Sequence, residues 1–177
     1  MNEHKFSYEM KIPEERVAVL IGKDGETKKE VEEATNSILE ISKEGDVVIT
    51  GDDGLLLFNA REVVHAIARG FNPRIALLLL KGDYSFEIID MKDVVGKSKN
   101  TLERLKGRVI GRKGRARQEI ENLTDTHISV YGKTIGIIGE TQYVAIAREA
   151  IAMLLSGSMH KTVYRYLERK RKEILLG

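Results

Sequence analysis

The chain has 177 residues, 42% of them apolar, and no cysteine, which suits one or two globular domains and excludes a disulfide framework and a thiolate metal site. Its formal charge of +2 hides a division: residues 1–78 carry 10 Lys/Arg against 15 Asp/Glu, net −5, and residues 79–177 carry 19 against 12, net +7. A polyanionic partner is therefore expected on the second half. The N-terminus, MNEHKFSYEMKIPEE, has no apolar core of a signal peptide, and the longest apolar run, Ile75 to Leu80, is too short to cross a membrane. A soluble, cytoplasmic protein without membrane contact is expected.

In chain order, Phe6, Tyr8, Met10 and Ile12 alternate as a strand does. LIGKDG (Leu20–Gly25) leads into a helix with Thr27, Val31 and Ala34 inward, then two short strands, Leu39 with Ile41 and Val47 to Ile49. A longer helix, Leu55 to Arg69, ends at Gly70 as a C-cap glycine would end it. FNPRIALLLLKG (71–82) is apolar on nearly every side, which predicts a buried linking helix that locks two domains together rather than a flexible tether.

Tyr84, Phe86 and Ile88 alternate again. A helix follows, with Asn100 and Glu103 at capping-box spacing and Leu102, Leu105 and Val109 on one face. VIGRKG (Val109–Gly114) then opens a helix with Ala116, Ile120 and Leu123 inward. Strands at Ile128–Val130 and Ile135–Ile138 flank a turn at Tyr131–Lys133, and a helix from Gln142 to Leu155 stops before Gly157. The last segment, Met159 to Leu176, reads as an extra helix. Lys161, Arg165, Arg169 and Lys172 form one stripe and Met159, Val163, Tyr166 and Ile174 another, so it either docks by its apolar side or makes a second contact with a polyanion.

These elements are two copies of one unit. LIGKDG matches VIGRKG at an offset of 89, which also pairs Val31-Glu32 with Ile120-Glu121, Thr35 with Thr124, Leu39 with Ile128 and Ile41 with Val130. Offsets of 88 and 87 align VVITG with IGIIG and the two ARE triplets, and an offset of 78 aligns FSYEMKI with YSFEIID. About eleven extra residues therefore precede the second glycine loop. Each copy runs strand, helix, GxxG, helix, strand, strand, helix, an α+β unit with a three-stranded sheet and helices on one face.

GxxG occurs four times. Gly136 to Gly139 lies in a strand, and Gly51 to Gly54 carries two carboxylates and reads as a turn with a helix N-cap. The other two sit between helices, where glycine permits close approach and the next helix's amides and dipole favour an anion by about 0.3–1 kcal/mol. Basic residues at a helix start oppose that dipole, so Arg112, Lys113, Arg115 and Arg117 suggest a bound anion.

VLIGKDGETKKEVEEATNSILEIS and RVIGRKGRARQEIENLTDTHISV resemble the core signature of KH RNA-binding domains of type I. Two tandem copies cover nearly the whole chain, as a first KH domain (1–70), the linking helix (71–82), a second KH domain (83–157) and a basic C-terminal helix (158–177). That layout is similar to the archaeal relatives of the small-subunit ribosome assembly factor called partner of Nob. The resemblance implies a groove for about four unpaired nucleotides, clamped on the backbone by the glycine loop. In the second copy the clamp would be Gly111, Arg112, Lys113 and Gly114, with Ile110 beneath, Arg115 beside it, Arg117 one turn on, and Ile128 and Val130 on the strand side of the floor. In the first copy the matching residues are Ile21, Gly22, Lys23, Asp24, Gly25, Lys28, Leu39 and Ile41. Asp24 and Glu26 predict weaker phosphate affinity there, or a scaffolding role. The implied partners are single-stranded RNA, ribosomal RNA near the small-subunit 3′ end, and maturation factors such as the Nob endonuclease.

No catalytic motif appears, and His4, His65, His127 and His160 stand apart, without metal-ligand spacing. His65 reads as a core or boundary residue, and His127 as either a strand neighbour or an RNA contact. A non-catalytic protein without metal or cofactor is expected. The rival readings are an accessory RNA-binding subunit of a nuclease complex and a protein-interaction scaffold.

Overall fold

Short runs of alternating or β-branched residues build two small sheets. The computed structural model describes residues 3–177, and the chain divides after Gly82 into two units. In the first, β1 (Phe6–Lys11), α1 (Glu14–Ile21), α2 (Glu26–Thr35), β2 (Ser37–Ile41), β3 (Asp46–Gly51) and α3 (Gly54–Ala68) are followed by α4 (Pro73–Ala76) and a 3₁₀ turn, Leu77–Leu80. The second contains β4 (Tyr84–Asp90), α5 (Lys92–Val95), α6 (Lys99–Ile110), α7 (Arg115–Thr124), β5 (His127–Tyr131), β6 (Thr134–Glu140), α8 (Thr141–Leu155) and α9 (His160–Leu176). The sheets are antiparallel, in the order β1-β3-β2 and β4-β6-β5, so β2 and β5 are edge strands. This is the α+β architecture of two type I KH domains.

The helices pack where the sheet residues are apolar on one face. Leu20, Val31, Leu39, Val47, Ile49, Leu57 and Val64 are at most 1% exposed in the first unit. In the second, Val109, Ile120, Ile128, Ile135, Ile137 and Ile151 belong to one buried cluster. Each such side chain contributes about 1.5–3 kcal/mol on burial. Asp53 caps α3 by accepting from the Leu55 and Leu56 amides at 2.9 and 3.0 Å, so the acidic GDDG segment is a turn and cap. The GIIG segment lies within the β6 ladder.

Three details depart from the sequence reading. The first strands of the two copies align at an offset of 79, not 78: Ile12 donates to Gly45 O and Met91 to Lys133 O, each at 2.8 Å. A one-residue slip exchanges the faces of a strand. Thus Glu87 and Ile89, not Phe86 and Ile88, face the helices: Glu87 pairs with Arg148 of α8, and Ile89 packs on the core. Met91 to Gly111 spans twenty residues where Ile12 to Gly22 spans ten, so the insertion is ten residues.

Second, α6 is capped by Ser98, whose Oγ accepts from the Thr101 amide at 3.3 Å, so the helix starts before the Asn100/Glu103 pair. Third, Ala34 is exposed and Thr35 takes the inward place. The hydroxyl of Thr35 donates to Val31 O at 2.7 Å and lies 2.7 Å from Ser37 Oγ. Thr124 repeats this with Ile120 O at 2.6 Å and Thr126 Oγ1 at 2.8 Å. A hydroxyl that returns its hydrogen bond to the preceding turn can be buried there.

Of the two readings left open for the last segment, docking by the apolar side is what the structure shows: α9 is part of the core of the second unit. Val163 and Leu167 are fully buried in its apolar cluster, whereas Met159 is 68% exposed. Within segment 71–82 the helix is the short α4, continued by the 3₁₀ turn Leu77–Leu80. Asn72 caps α4 by accepting from the Arg74 amide, Pro73 sits at its first position, and Phe71, Ala76 and Leu79 are buried.

Candidate nucleic-acid interface

The two glycine loops have the same backbone. Gly22 and Gly111 close α1 and α6 at φ/ψ 77/173° and 75/174°, and their amides donate to Ala18 O and Gly107 O. Gly25 and Gly114 start α2 and α7 at φ/ψ 77/12° and 74/11°. Only the first glycine of each loop is sterically obligatory. A Cβ on Gly111 would lie 2.6 Å from the Ala116 Cβ and 2.7 Å from its N, and one on Gly22 2.8 Å from the Thr27 N. A Cβ on Gly25 or Gly114 would meet nothing within 4 Å, so open space stands over the second glycine.

Between the glycines the loops differ in charge. Asp24 at φ 53° and Lys113 at φ 55° occupy the same left-handed conformation. Asp tolerates it through its short polar side chain, while a lysine there costs about 1–2 kcal/mol. Arg112, Lys113 and Arg115 are exposed, and Ile110, like Ile21, is half-buried. Neither α2 nor α7 has a side-chain N-cap; the first turn of α2 carries Glu26, while that of α7 has no acidic residue. The start of α7 therefore carries neither a capping side chain nor a carboxylate and stands beside three cations, a place suited to phosphate oxygens.

The edge strands form the other wall. Glu121 Oε1 accepts from the Ile128 amide at 3.0 Å, and Arg117 donates to Ile128 O at 3.2 Å while pairing with Glu121. In the first unit, Glu32 takes the Leu39 amide at 3.4 Å and pairs with Lys28 at 2.8 Å. A carboxylate thus ties the glycine-loop helix to the edge strand in both units. Leu39 and Ile128 are 1% and 3% exposed and belong to the core, while Ile41 and Val130, two residues on and on the same strand face, are half-buried. His127 borders a hollow with Glu121, Asn122 and Asp125, at the end of α7 opposite the glycine loop.

Two arginines that sequence reading passed over fix the helices bearing these loops. Arg16 donates to Ile67 O and Phe71 O at 2.8 and 2.9 Å, and Arg108 to Leu154 O and Ser158 O. The carbonyls correspond between copies at offset 87, but the arginines stand six and three residues before the first glycine. They lie one helical turn apart on the same face, so linear alignment does not pair them. Only Arg16 carried a signal in the sequence, as a basic residue just before the apolar run Val17–Ile21; Arg108 stands in a helix with several other charged residues.

His160 Nε2 lies 2.8 Å from Arg108 O, and Arg171 donates to Asn122 O and Leu123 O and pairs with Asp125. Helix α9 is thereby pinned at the end of α6 and again at the end of α7. Lys161, Arg165, Arg169 and Lys172 are exposed along it. Among the described residues, no group of His, Asp or Glu is gathered to hold a metal ion, and no helix is long and apolar enough to cross a membrane. Burial lowers the pKa of His65 in α3, helped by Arg61 and Arg69, and raises that of Glu62 against the effect of Arg61.

Residues 85–172 match the model of a eukaryotic-type KH domain (KH-domain type I), and residues 7–64 the general KH domain model. The KH domain-containing protein MJ0443 of Methanocaldococcus jannaschii is 48% identical over 169 residues, covering 93% of this chain and 74% of that one. The pre-rRNA-processing protein PNO1 of Chaetomium thermophilum is 34% identical over 110 residues, 60% of this chain and 42% of its own length. The chain thus spans less than half of that relative. The crystal structure of Dim2p from Pyrococcus horikoshii superposes with a TM-score of 0.87 at 46% identity, covering 93% of this chain and 99% of that one. The a/eIF2alpha–aDim2p–rRNA complex from the same organism gives 0.88 at 46% identity, with 95% of each chain covered. Two KH units in tandem, each with an intact glycine loop, and these relatives place the chain in the PNO1/Dim2 family of tandem KH RNA-binding proteins.

Proposed function

We propose that the chain is a non-catalytic, cytoplasmic RNA-binding factor that holds single-stranded ribosomal RNA of the small subunit near its 3′ end during subunit maturation. The observation that carries this reading is the GRKG loop: uncapped helix amides, open space over Gly114, and Arg112, Lys113 and Arg115 exposed around it. The names of relatives, a pre-rRNA-processing protein and a Dim2p solved in a complex with rRNA, support ribosomal RNA as the ligand. Maturation factors such as the Nob endonuclease are the proposed protein partners. The second domain is the main RNA clamp and the first the weaker one, because Asp24 and Glu26 flank its loop and Glu32 engages Lys28.

The test is binding of short single strands from the small-subunit rRNA 3′ region to the full chain. Arg112→Asp with Lys113→Asp should abolish binding, and Lys23→Asp should weaken it little. Equal losses from the two changes would refute the asymmetry. No binding to any such strand by the unmodified chain would refute the reading and favour a protein scaffold.

A further inference from the structure

The ten-residue insertion has no counterpart in the first unit, and the groove as described makes no use of it. It forms α5, the Gly96–Ser98 turn and the start of α6. Together with the turn between β5 and β6 it encloses a hollow of about 260 Å³, floored by Val95 and Leu102 and lined by Lys97, Ser98, Lys99 and Lys133. All three lysines are exposed and have no ion pair among the described residues. Glu103 also lines it, with its carboxylate 3.9 Å from the Lys106 ammonium, and Asp93 lies nearby on α5.

Both walls of the RNA groove end at this hollow. Helix α6 bears the glycine loop at its C-terminus and Lys99 at its N-terminus, about 18 Å away. The edge strand β5 leads through Val130 and Tyr131 into the turn that brings in Lys133. Three lysines without an ion pair among the described residues line one concavity against a single carboxylate, Glu103, which gives it a net positive charge that favours an anion. An RNA backbone following either wall past the four nucleotides of the groove reaches this hollow next.

We propose that the hollow is a second phosphate-binding site of the second domain. It takes the backbone of nucleotides beyond the groove and so sets the length of RNA the domain holds. The proposal rests on the second domain binding single-stranded RNA through its glycine loop, and the test separates the two. Random-sequence RNA pools of four, six, eight and ten nucleotides are titrated against the full chain, against the triple variant Lys97→Ser, Lys99→Ser, Lys133→Ser, and against its arginine counterpart.

Unmodified protein should bind more tightly as length grows from four to eight nucleotides. The serine variant should bind four nucleotides as the unmodified protein does and eight at least tenfold more weakly. Its salt slope for eight should fall by about two, since each lost phosphate contact on a single strand removes about 0.7. The arginine variant should keep the gain with length. A serine variant that keeps the gain, a uniform loss at every length, or an arginine variant that behaves like serine would each overturn the second site. Undiminished binding by the Arg112→Asp, Lys113→Asp protein would instead refute the glycine-loop reading.

Discussion

Replacing each loop glycine by alanine separates what the loop needs in order to fold from what it needs in order to bind. At Gly111, φ 75° and ψ 174° lie in a region open essentially to glycine alone, worth about 1–3 kcal/mol of strain for alanine. The new Cβ would also sit 2.6 and 2.7 Å from the Cβ and N of Ala116, atoms that cannot rotate away, and relieving such overlap costs about 1–3 kcal/mol. Gly111→Ala should therefore destabilise the second unit by about 2–6 kcal/mol. At Gly114 the conformation is left-handed and the space empty. Strain of about 1–2 kcal/mol is partly offset by the stiffer unfolded chain, about 0.4–1 kcal/mol, so the net loss should stay near 1 kcal/mol. Urea unfolding of the full chain, with hydrogen exchange in α6 and α7 to report on the second unit, measures both. Gly114→Ala should nonetheless weaken RNA binding, because its methyl group occupies the open space where the backbone is to approach. Equal destabilisation by the two variants, or a Gly114→Ala protein that binds RNA unchanged, would refute the reasoning.

Arg108→Met should cost about 2–4 kcal/mol, because it removes two charge-assisted bonds that satisfy carbonyls at the end of α8; Arg108→Lys, with one donor centre, should fall between, as thermal unfolding would show. Thr124→Val should cost about 1–3 kcal/mol by leaving the Thr126 hydroxyl buried without that partner, and adding Thr126→Val should recover much of it in urea melts. For His65, burial and its arginine neighbours hold the folded pKa below 6.5, so below that pH the unfolded chain binds more protons and stability falls as pH drops. His65→Gln should flatten that fall in denaturation midpoints measured from pH 7.5 to 5.5. Lys113→Asn should raise stability by up to about 1 kcal/mol, since Asn tolerates the left-handed conformation, and should weaken RNA binding in a fluorescence titration.

The repeat made most of the fold readable before any coordinates, because aligned copies constrain one another: a helix weakly patterned in one is clear in the other. The alignment failed where it had only alternation to guide it. FSYEMKI and YSFEIID match best at 78, yet the ladder places them at 79, and sequence similarity does not register which face a strand turns to its helices. Ala34 and Thr35 show a related limit. Hydropathy favours the alanine, but the threonine can return its hydroxyl to Val31 O and the alanine cannot cover the sheet from its place on the helix. The candidate site was legible in residue type and order, whereas the near-complete burial of Leu39 and Ile128 and the two arginine clamps depend on contacts between distant segments. Arg16 and Arg108 do the same work from positions three residues apart relative to the loop, a substitution of place that only three dimensions reveal.

The identical backbone of the two loops sharpens the meaning of their different charges. Phi, psi and the close approach of the first glycine to the next helix agree within a few degrees and tenths of an ångström, so the loop shape alone does not distinguish a strong clamp from a weak one. In the first unit every local preference is respected: an aspartate takes the left-handed place and a glutamate meets the positive end of the helix dipole. In the second unit the same two places hold Lys113 and Arg115, each contrary to its local preference by about 1 kcal/mol. Two such conflicts at adjoining positions are what a binding loop shows when stability is given up for a ligand. An RNA phosphate beside them would reverse the unfavourable charge term at Arg115 and offset the steric strain at Lys113 with a new ion pair, as expected of a loop in the basic half of the chain.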